Sequence, residues 1–244
     1  MLHHLKLANY TTISGVTQDI ELSYQLFGQE LHTAPIVQVN HALTGNSNVT
    51  GDDGWWSALI GEGKCIDTKK YTILCFNIPG NGYDKFIIDN YKDFVAGDIA
   101  RIFLLGLQKL EINKLFALLG GSLGGGIAWE MAAINPKIME HLIPVASDWK
   151  STDWLIGNCQ IQEQFLVNSK QPVHDARMHA MLCYRTPESF KERFKRSTNE
   201  ALQVFNVESW LRHHGEKLQE RFQLSAYKLM NQLLKTIDVM RNGE

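Results

Sequence analysis

The 244-residue sequence is poor in the features that direct a chain to membranes, nucleic acids or metals. No window holds about 18 consecutive apolar residues, the length a helix needs to cross a bilayer, so no membrane span is expected. The first residues, MLHHLKLANYTTISG, contain no apolar stretch of the signal-peptide kind. Charge is sparse and balanced, with 24 Lys and Arg against 26 Asp and Glu, a net charge of −2 and no long basic run. A polyanionic nucleic acid therefore has little to bind. The four cysteines, Cys65, Cys75, Cys159 and Cys183, form no C-x-x-C pair and fit no zinc spacing. Reduced thiols in a cytoplasmic protein are the expected state. Internal repeats and low-complexity segments are also missing.

What is present is a hydrophobic content of 44%, enough for one large core, or a core with a smaller lid. Residues 19–27 (DIELSYQLF) alternate apolar and polar, the pattern of a half-buried strand. Short apolar runs at 35–40 (PIVQVN), 71–76 (YTILCF), 115–119 (LFALL) and 142–146 (LIPVA) suit strands buried on both faces of a parallel sheet. Between them, 91–112 carries apolar residues at helical spacing, and 124–135 reads as a helix stopped by Pro136. Strand–helix alternation predicts an α/β fold with right-handed crossovers. From about Ser151 onward no strand pattern appears, and helices are expected at 152–168, 174–185, 187–196, 200–212 and 225–240. The organisation expected is an α/β core over 1–150 and a helical lid over 151–244.

One motif carries chemistry. Gly120-Gly121-Ser122-Leu123-Gly124 fits G-x-S-x-G, which arises by chance in roughly one chain in ten of this size. Its context adds the specificity: the apolar run LFALL precedes it and the small-residue helix start GGGIAWEMAA follows. A strand–turn–helix of this kind is what a nucleophile elbow requires. The glycines permit a strained turn that lifts the Ser122 hydroxyl clear of the sheet. The N–H of Leu123, at a helix N-terminus, then faces a developing oxyanion. The bland alternative is a glycine-rich turn that packs a helix closely on a strand. No phosphate-binding G-x-x-x-x-G-K-[ST] or G-x-G-x-x-G is present.

A second signal, Asn40-His41-Ala42-Leu43-Thr44-Gly45, follows the strand PIVQV. In an elbow fold this loop gives the other oxyanion N–H. His41 precedes the serine, whereas the base of such folds comes last, so it is read as a structural loop histidine. The adjacent His213 and His214 do not share a helix face, and His174 and His179 diverge around one. Asp52 and Asp53 sit in a glycine-flanked, solvated loop. Trp55 and Trp56 are read as packing.

Three segments, HALTGNSNV, GWWSALIGEGKCIDTKKYTILCFNIPG and LLGGSLGGGIAWEMA, occur in this order, followed by ARMHAMLCYRT. Together they make the chain resemble the homoserine O-acetyltransferases, acyl-transferring members of the α/β-hydrolase fold. The resemblance runs from about residue 20 to about 230. It implies a mostly parallel sheet with helices on both faces and a helical lid. It further implies that Ser122 is acetylated by acetyl-CoA and that Leu43 and Leu123 supply the oxyanion N–H groups. Homoserine's hydroxyl would then take up the acetyl group. Arg177 and Tyr184 match the lid positions that hold the amino-acid substrate. A guanidinium suits a carboxylate, and positions seven apart fall near one helix face. Acetyl-CoA is a co-substrate here, with no resident cofactor or metal. The implied partners are small molecules and a second copy of the chain, in a homodimer; the implied pathway is methionine biosynthesis.

Two departures from the family stand out. The stretch after NIPGNGYD is shorter than in many members, which bears on the entrance near Tyr83. The acid and histidine that follow the nucleophile in this fold have no strands to carry them, and Asp148 after LIPVA is a weak substitute. The expectation is that the sequence is the N-terminal piece of a longer enzyme whose final strands are missing. The alternatives are a hydrolase on the same fold, and a non-catalytic remnant or a subunit completed by a second polypeptide.

Overall fold

A computed structural model describes residues 1–241; positions 242–244 of the expected lid lie outside the described residues. The chain opens with an antiparallel hairpin of β1 (Leu2–Thr11) and β2 (Thr17–Gly28). The alternation over 19–27 marks β2. β1 escapes the same reading because Leu5 and Leu7 are its only leucines that pack inward between polar neighbours. Then follow β3 (Ile36–Asn40), the two-residue strands β4 (Ile60–Gly61) and β5 (Ile66–Asp67), and β6 (Thr72–Phe76). A short 3-10 turn at Tyr91–Asp93 leads into α1 (Ala96–Lys109), β7 (Leu115–Gly121), α2 (Leu123–Ile134) and β8 (Met139–Val145).

Six strands form one sheet in the order β1-β2-β6-β3-β7-β8. β6, β3, β7 and β8 run parallel, and the N-terminal hairpin joins antiparallel through β2. The α/β class expected from the alternation is the one found. Every residue of β3 and β6 is buried, as apolar runs of this length require in a parallel sheet. Leu74, Phe76 and Leu118 face α1 and α2 in one apolar cluster. Val37, Val39, Ile73, Cys75, Ala117 and Leu119 face the other way, against Trp55, Trp56 and Ile60 of the excursion between β3 and β6. The Phe76 and Phe103 rings stack 5.2 Å apart. Each such side chain contributes about 1.5–3 kcal/mol on burial. β8 differs from the expectation of a strand buried on both faces. It pairs only with β7 among the described residues, and Ile143 and Val145 are 45% and 43% exposed.

The register sets up the site. Asn40 of β3 lies opposite Gly120 of β7, and Gly121 opposite Val145 of β8. The segments that leave the C-terminal ends of these three strands therefore meet at one edge, the place where open α/β sheets bind ligands.

The second part of the chain is helical: α3 (Asp153–Asn168), α4 (Pro172–Cys183), α5 (Pro187–Phe194), α6 (Asn206–Gln219) and α7 (Leu224–Lys235). Thr152 and Thr186 cap α3 and α5 by accepting the N–H groups of Leu155 and Ser189, each at 3.3 Å. Pro172 and Pro187 occupy first turns, where no N–H is needed. The helix expected from 200 begins instead at 206. Thr198–Asn199 (β9) and Val204–Phe205 (β10) form a small hairpin, and Glu208 accepts the Phe205 N–H at 2.8 Å to start α6. The helix expected to run to 240 stops at Lys235, and residues beyond it pair with the segment after β8: Ser151 N–H donates to Ile237 (2.9 Å) and Val239 N–H to Trp149 (3.2 Å). Leu166, Val173, Leu229 and Leu233 belong to the same apolar cluster as Leu118 and Ile127, so the helices share one core with the sheet.

Candidate active site

Ser122 is the hinge between β7 and α2, with φ 52° and ψ −120°. A serine rarely adopts this conformation, which costs on the order of 1–3 kcal/mol and persists only where the surroundings enforce it. The enforcement is visible. Ser122 N–H donates to Val145 at 2.9 Å, and its carbonyl accepts from Gly126 at 3.1 Å. Added Cβ atoms would lie 2.2 Å from the Gly124 oxygen at Gly120, and 2.2 Å from the Asn40 oxygen at Gly124. Only glycine fits at either position, so the motif's spacing is dictated by the close approach of β7, α2 and the end of β3.

Ser122 lines a cavity of about 230 Å³, bordered also by Leu43, Asp148, Lys150, Cys183 and Tyr184. Three of the five residues singled out from the sequence thus reach one space: Ser122, Leu43 and Tyr184. Leu123 opens α2 and is fully buried. Among the described residues, neither the Leu43 nor the Leu123 N–H donates to a protein acceptor. Arg177 does not border the cavity. Its guanidinium lies over the Tyr184 ring, 5.5 Å from the centroid, which leaves its N–H edge free for a carboxylate. Tyr184 caps the C-terminus of α4 and is 61% exposed.

The loop that carries Leu43 is held from below by His41, which is fully buried. Ile78 N–H donates to its Nε2 at 2.9 Å, so that nitrogen is an acceptor. The proton therefore sits on Nδ1, which donates to the Ala42 carbonyl at 2.8 Å. Burial pulls the His41 pKa down to about 4 against the opposing pull of that carbonyl. This is the structural histidine the chain order implies. Ser47 N–H donates to Asn77 Oδ1 (2.8 Å), and Trp55 Nε1 to the Asn46 carbonyl (2.8 Å); these fix the rest of the loop. Trp55 and Trp56 pack with centroids 4.6 Å apart.

Among the described residues, no histidine borders the Ser122 cavity. His174 bonds Asp175 (2.7 Å), His179 bonds Gln162 (3.0 Å), and His141 stands edge-on to Phe116. The charged groups beside Ser122 are Asp148 and Lys150, and Lys150 Nζ is paired with Asp238 at 3.2 Å. Sequence reasoning missed Lys150 and Cys183 as neighbours of the nucleophile. Cys183 precedes Tyr184 in the lid segment, which was a usable signal. Lys150 is brought in only by the pairing of 149–151 with 237–239, which no periodicity announces.

Comparison with known proteins gives this geometry a family. The model of the alpha/beta hydrolase fold matches residues 35–161. The homoserine O-acetyltransferase of Chloroherpeton thalassium is 33% identical over 97% of this chain and 70% of its own length. That of Corynebacterium diphtheriae is 31% identical over 98% of this chain and 74% of its own. Among solved structures, a homoserine o-acetyltransferase from Staphylococcus aureus superposes with a TM-score of 0.83 at 28% identity, over 99% of this chain and 73% of that one. Esterase E22 reaches a TM-score of 0.83 and its L374D mutant 0.84, each at 17% identity over 98% of this chain and 78% of that one, a likeness of fold. By sequence and by structure, the chain belongs to the homoserine O-acetyltransferase family of the α/β-hydrolase fold.

Proposed function

We propose that this site transfers an acetyl group from acetyl-CoA to the hydroxyl of L-homoserine through a Ser122 acyl-enzyme, a step of methionine biosynthesis. The observation that carries the proposal is Ser122 at a strained elbow, facing a cavity shared with Leu43 and Tyr184. Ser122 Oγ attacks the thioester carbonyl. The C–S bond breaks, and the serine proton ends on the departing thiol. Unpaired N–H groups of Leu43 and Leu123 stabilise the oxyanion, a contribution worth about 2.7–4 kcal/mol per donor in comparable sites. Homoserine's hydroxyl then attacks the acyl-enzyme and restores Ser122. Arg177 holds the substrate carboxylate and Tyr184 adds a neutral hydrogen bond.

The reading also includes a cytoplasmic setting and a homodimer. Free cysteines support the first, and among the described residues no helix is long and apolar enough to cross a membrane. Exposed Ile156 and Val167, on the same side of α3, support the second. A second reading, ester hydrolysis, is favoured by the 61% exposure of Tyr184, which leaves the cavity mouth open to water. Acetyl transfer from acetyl-CoA to homoserine, measured beside hydrolysis of p-nitrophenyl acetate, separates the two. Transfer in excess over hydrolysis, with Ser122 acetylated and both activities lost in Ser122→Ala, is expected. Hydrolysis without transfer would give the second reading the lead, and no acetylation of Ser122 would make the chain a non-catalytic or incomplete member.

A further inference from the structure

The loop after β3 makes a tight turn. Gly45 N–H donates to the Ala42 carbonyl at 2.9 Å, with Leu43 and Thr44 at the two central positions. From outside the turn, Arg221 Nη1 donates to the Thr44 carbonyl at 3.1 Å. Arg221 lies in the bend between α6 and α7, 177 residues after Thr44. Among the described residues this is the one hydrogen bond that the helical part makes to residues 41–47. On the core side, His41 Nδ1–H donates to the Ala42 carbonyl at 2.8 Å, and Asn81 Nδ2–H donates to His41 Nε2 at 3.3 Å.

The contacts of the turn connect head to tail through two peptide groups. The Arg221 guanidinium holds the carbonyl of the Thr44–Gly45 peptide. The N–H of that same peptide holds the carbonyl of the Ala42–Leu43 peptide. The N–H of this second peptide is the Leu43 donor, which has no protein acceptor among the described residues. Both peptide planes are thereby fixed, with a positive charge at one end of the series and a free N–H at the other. Hydrogen bonds in such a chain polarise one another, and a charged donor at its head strengthens the first link. Arg221 forms no ion pair with a carboxylate among the described residues, so that its charge is not cancelled. It is exposed, yet partial desolvation and then the charge of Arg177 lower its pKa; an arginine stays cationic at neutral pH all the same. We infer that Arg221 is a positioning residue that orients and polarises the Leu43 N–H, so that the helical part of the chain holds one half of the oxyanion hole. The role of Leu43 rests on the acetyl-transfer reading above, and Arg221 adds to it a residue that does not border the Ser122 cavity.

Arg221→Ala and Arg221→Lys in the full chain test this; the side chain is exposed, so both variants fold. One readout is the protection of the Gly45 amide against hydrogen exchange, followed by NMR. The other is the rate of Ser122 acetylation by p-nitrophenyl acetate, a substrate with no carboxylate. In the alanine variant the Gly45 amide should exchange at least about tenfold faster, while the Ser47 amide, held by Asn77 at 2.8 Å, stays as it was. The acetylation rate constant should fall about tenfold with KM little changed, short of the roughly 10²–10³ that loss of a whole oxyanion donor costs. Lysine, which keeps the charge and a donor, should restore part of both losses. Gly45 exchange equal in the unsubstituted chain and the alanine variant would overturn the role of Arg221. So would an untouched acetylation rate with a raised KM for homoserine, because Arg221 would then be a carboxylate ligand. An unsubstituted chain in which Ser122 is never acetylated would remove the acetyl-transfer reading, and Gly45 exchange would still decide whether Arg221 holds the turn.

Discussion

The Nε2 of buried His41 accepts the backbone N–H of Ile78 at 2.9 Å, and its Nδ1–H closes on the adjacent Ala42 carbonyl. This ties the oxyanion loop to the segment leaving β6 through a neutral ring. Protonation would place two donors, Nε2–H and Ile78 N–H, against each other. The folded pKa is held near 4, below the ordinary histidine value of about 6.5. The unfolded chain therefore takes up a proton first. Stability is full above about pH 6.5 and is lost as pH falls from there toward 4, by roughly 3 kcal/mol in all. Urea midpoints between pH 7 and pH 4 should show this fall, and His41→Asn, less stable at pH 7, should show a shallower one. Equal slopes for the two proteins would remove His41 as the cause.

The strain at Ser122 predicts a separation of activity from stability. Ser122→Ala keeps a Cβ at φ 52° and should abolish acylation with little change in urea midpoint. Ser122→Gly removes the Cβ that makes this backbone costly. It should be equally inactive, yet more stable than Ser122→Ala by about 1 kcal/mol. Indistinguishable midpoints would mean that the elbow stores no strain.

Gly124→Ala should be far worse than either. Its Cβ would meet the Asn40 oxygen at 2.2 Å, a backbone atom with no flexible end to yield. A drop in melting temperature with an overpacking cost of about 1–3 kcal/mol or more is expected, together with loss of Ser122 acylation. A variant that melts like the parent would contradict the close approach of α2 to β3.

Much of this arrangement is legible in the sequence because it rests on local rules. β3, β6 and β7 announce themselves as apolar runs, and G-x-S-x-G dictates its own turn. Leu43 and Tyr184 follow from the family resemblance. What escapes depends on distant partners. β1 is a strand because β2 is beside it. The start of α6 shifts to 206 because Thr198–Phe205 folds back as a hairpin. Lys150 reaches the cavity only because Asp238 pairs with it from the far end of the chain. Arg177 sits behind Tyr184 rather than beside Ser122, since residues seven apart share a helix face but need not share a cavity.

The tether between α2 and the segment after α7 makes a further expectation. Glu130 of α2 is buried, and its carboxylate accepts the Asp238 N–H at 2.9 Å and two guanidinium contacts from Arg241 at 3.1 and 3.3 Å. Burial still raises the Glu130 pKa, against the pull of these donors. Arg241→Ala leaves a buried carboxylate short of its cation, a change that costs about 3–5 kcal/mol for a fully buried pair and less here, where the arginine is one-fifth exposed. Glu130→Gln/Arg241→Ala should recover part of the loss. Denaturant midpoints of the single and double variants measure the coupling, and additive losses would argue against a working pair.

The open edge of the sheet yields the last expectation. β8 pairs with β7 on one side only among the described residues, and on it Ile143 and Val145 stay 45% and 43% exposed. An apolar strand with free N–H and C=O groups is a template for another strand, and natural edges are blunted with lysine or proline for that reason. β8 has a proline, Pro144, between the two apolar residues, which removes one donor but leaves the apolar surface in place. The chain at micromolar concentration should therefore associate through β8, faster at higher salt, where its charges are screened. Ile143→Lys/Val145→Lys should slow that association severalfold and leave the far-UV circular dichroism unchanged, because both side chains already point partly to water. Light scattering during incubation measures the rate. An unchanged rate in the lysine variant would place the sticky surface elsewhere, with exposed Trp154 and Leu182 as the next sites to substitute.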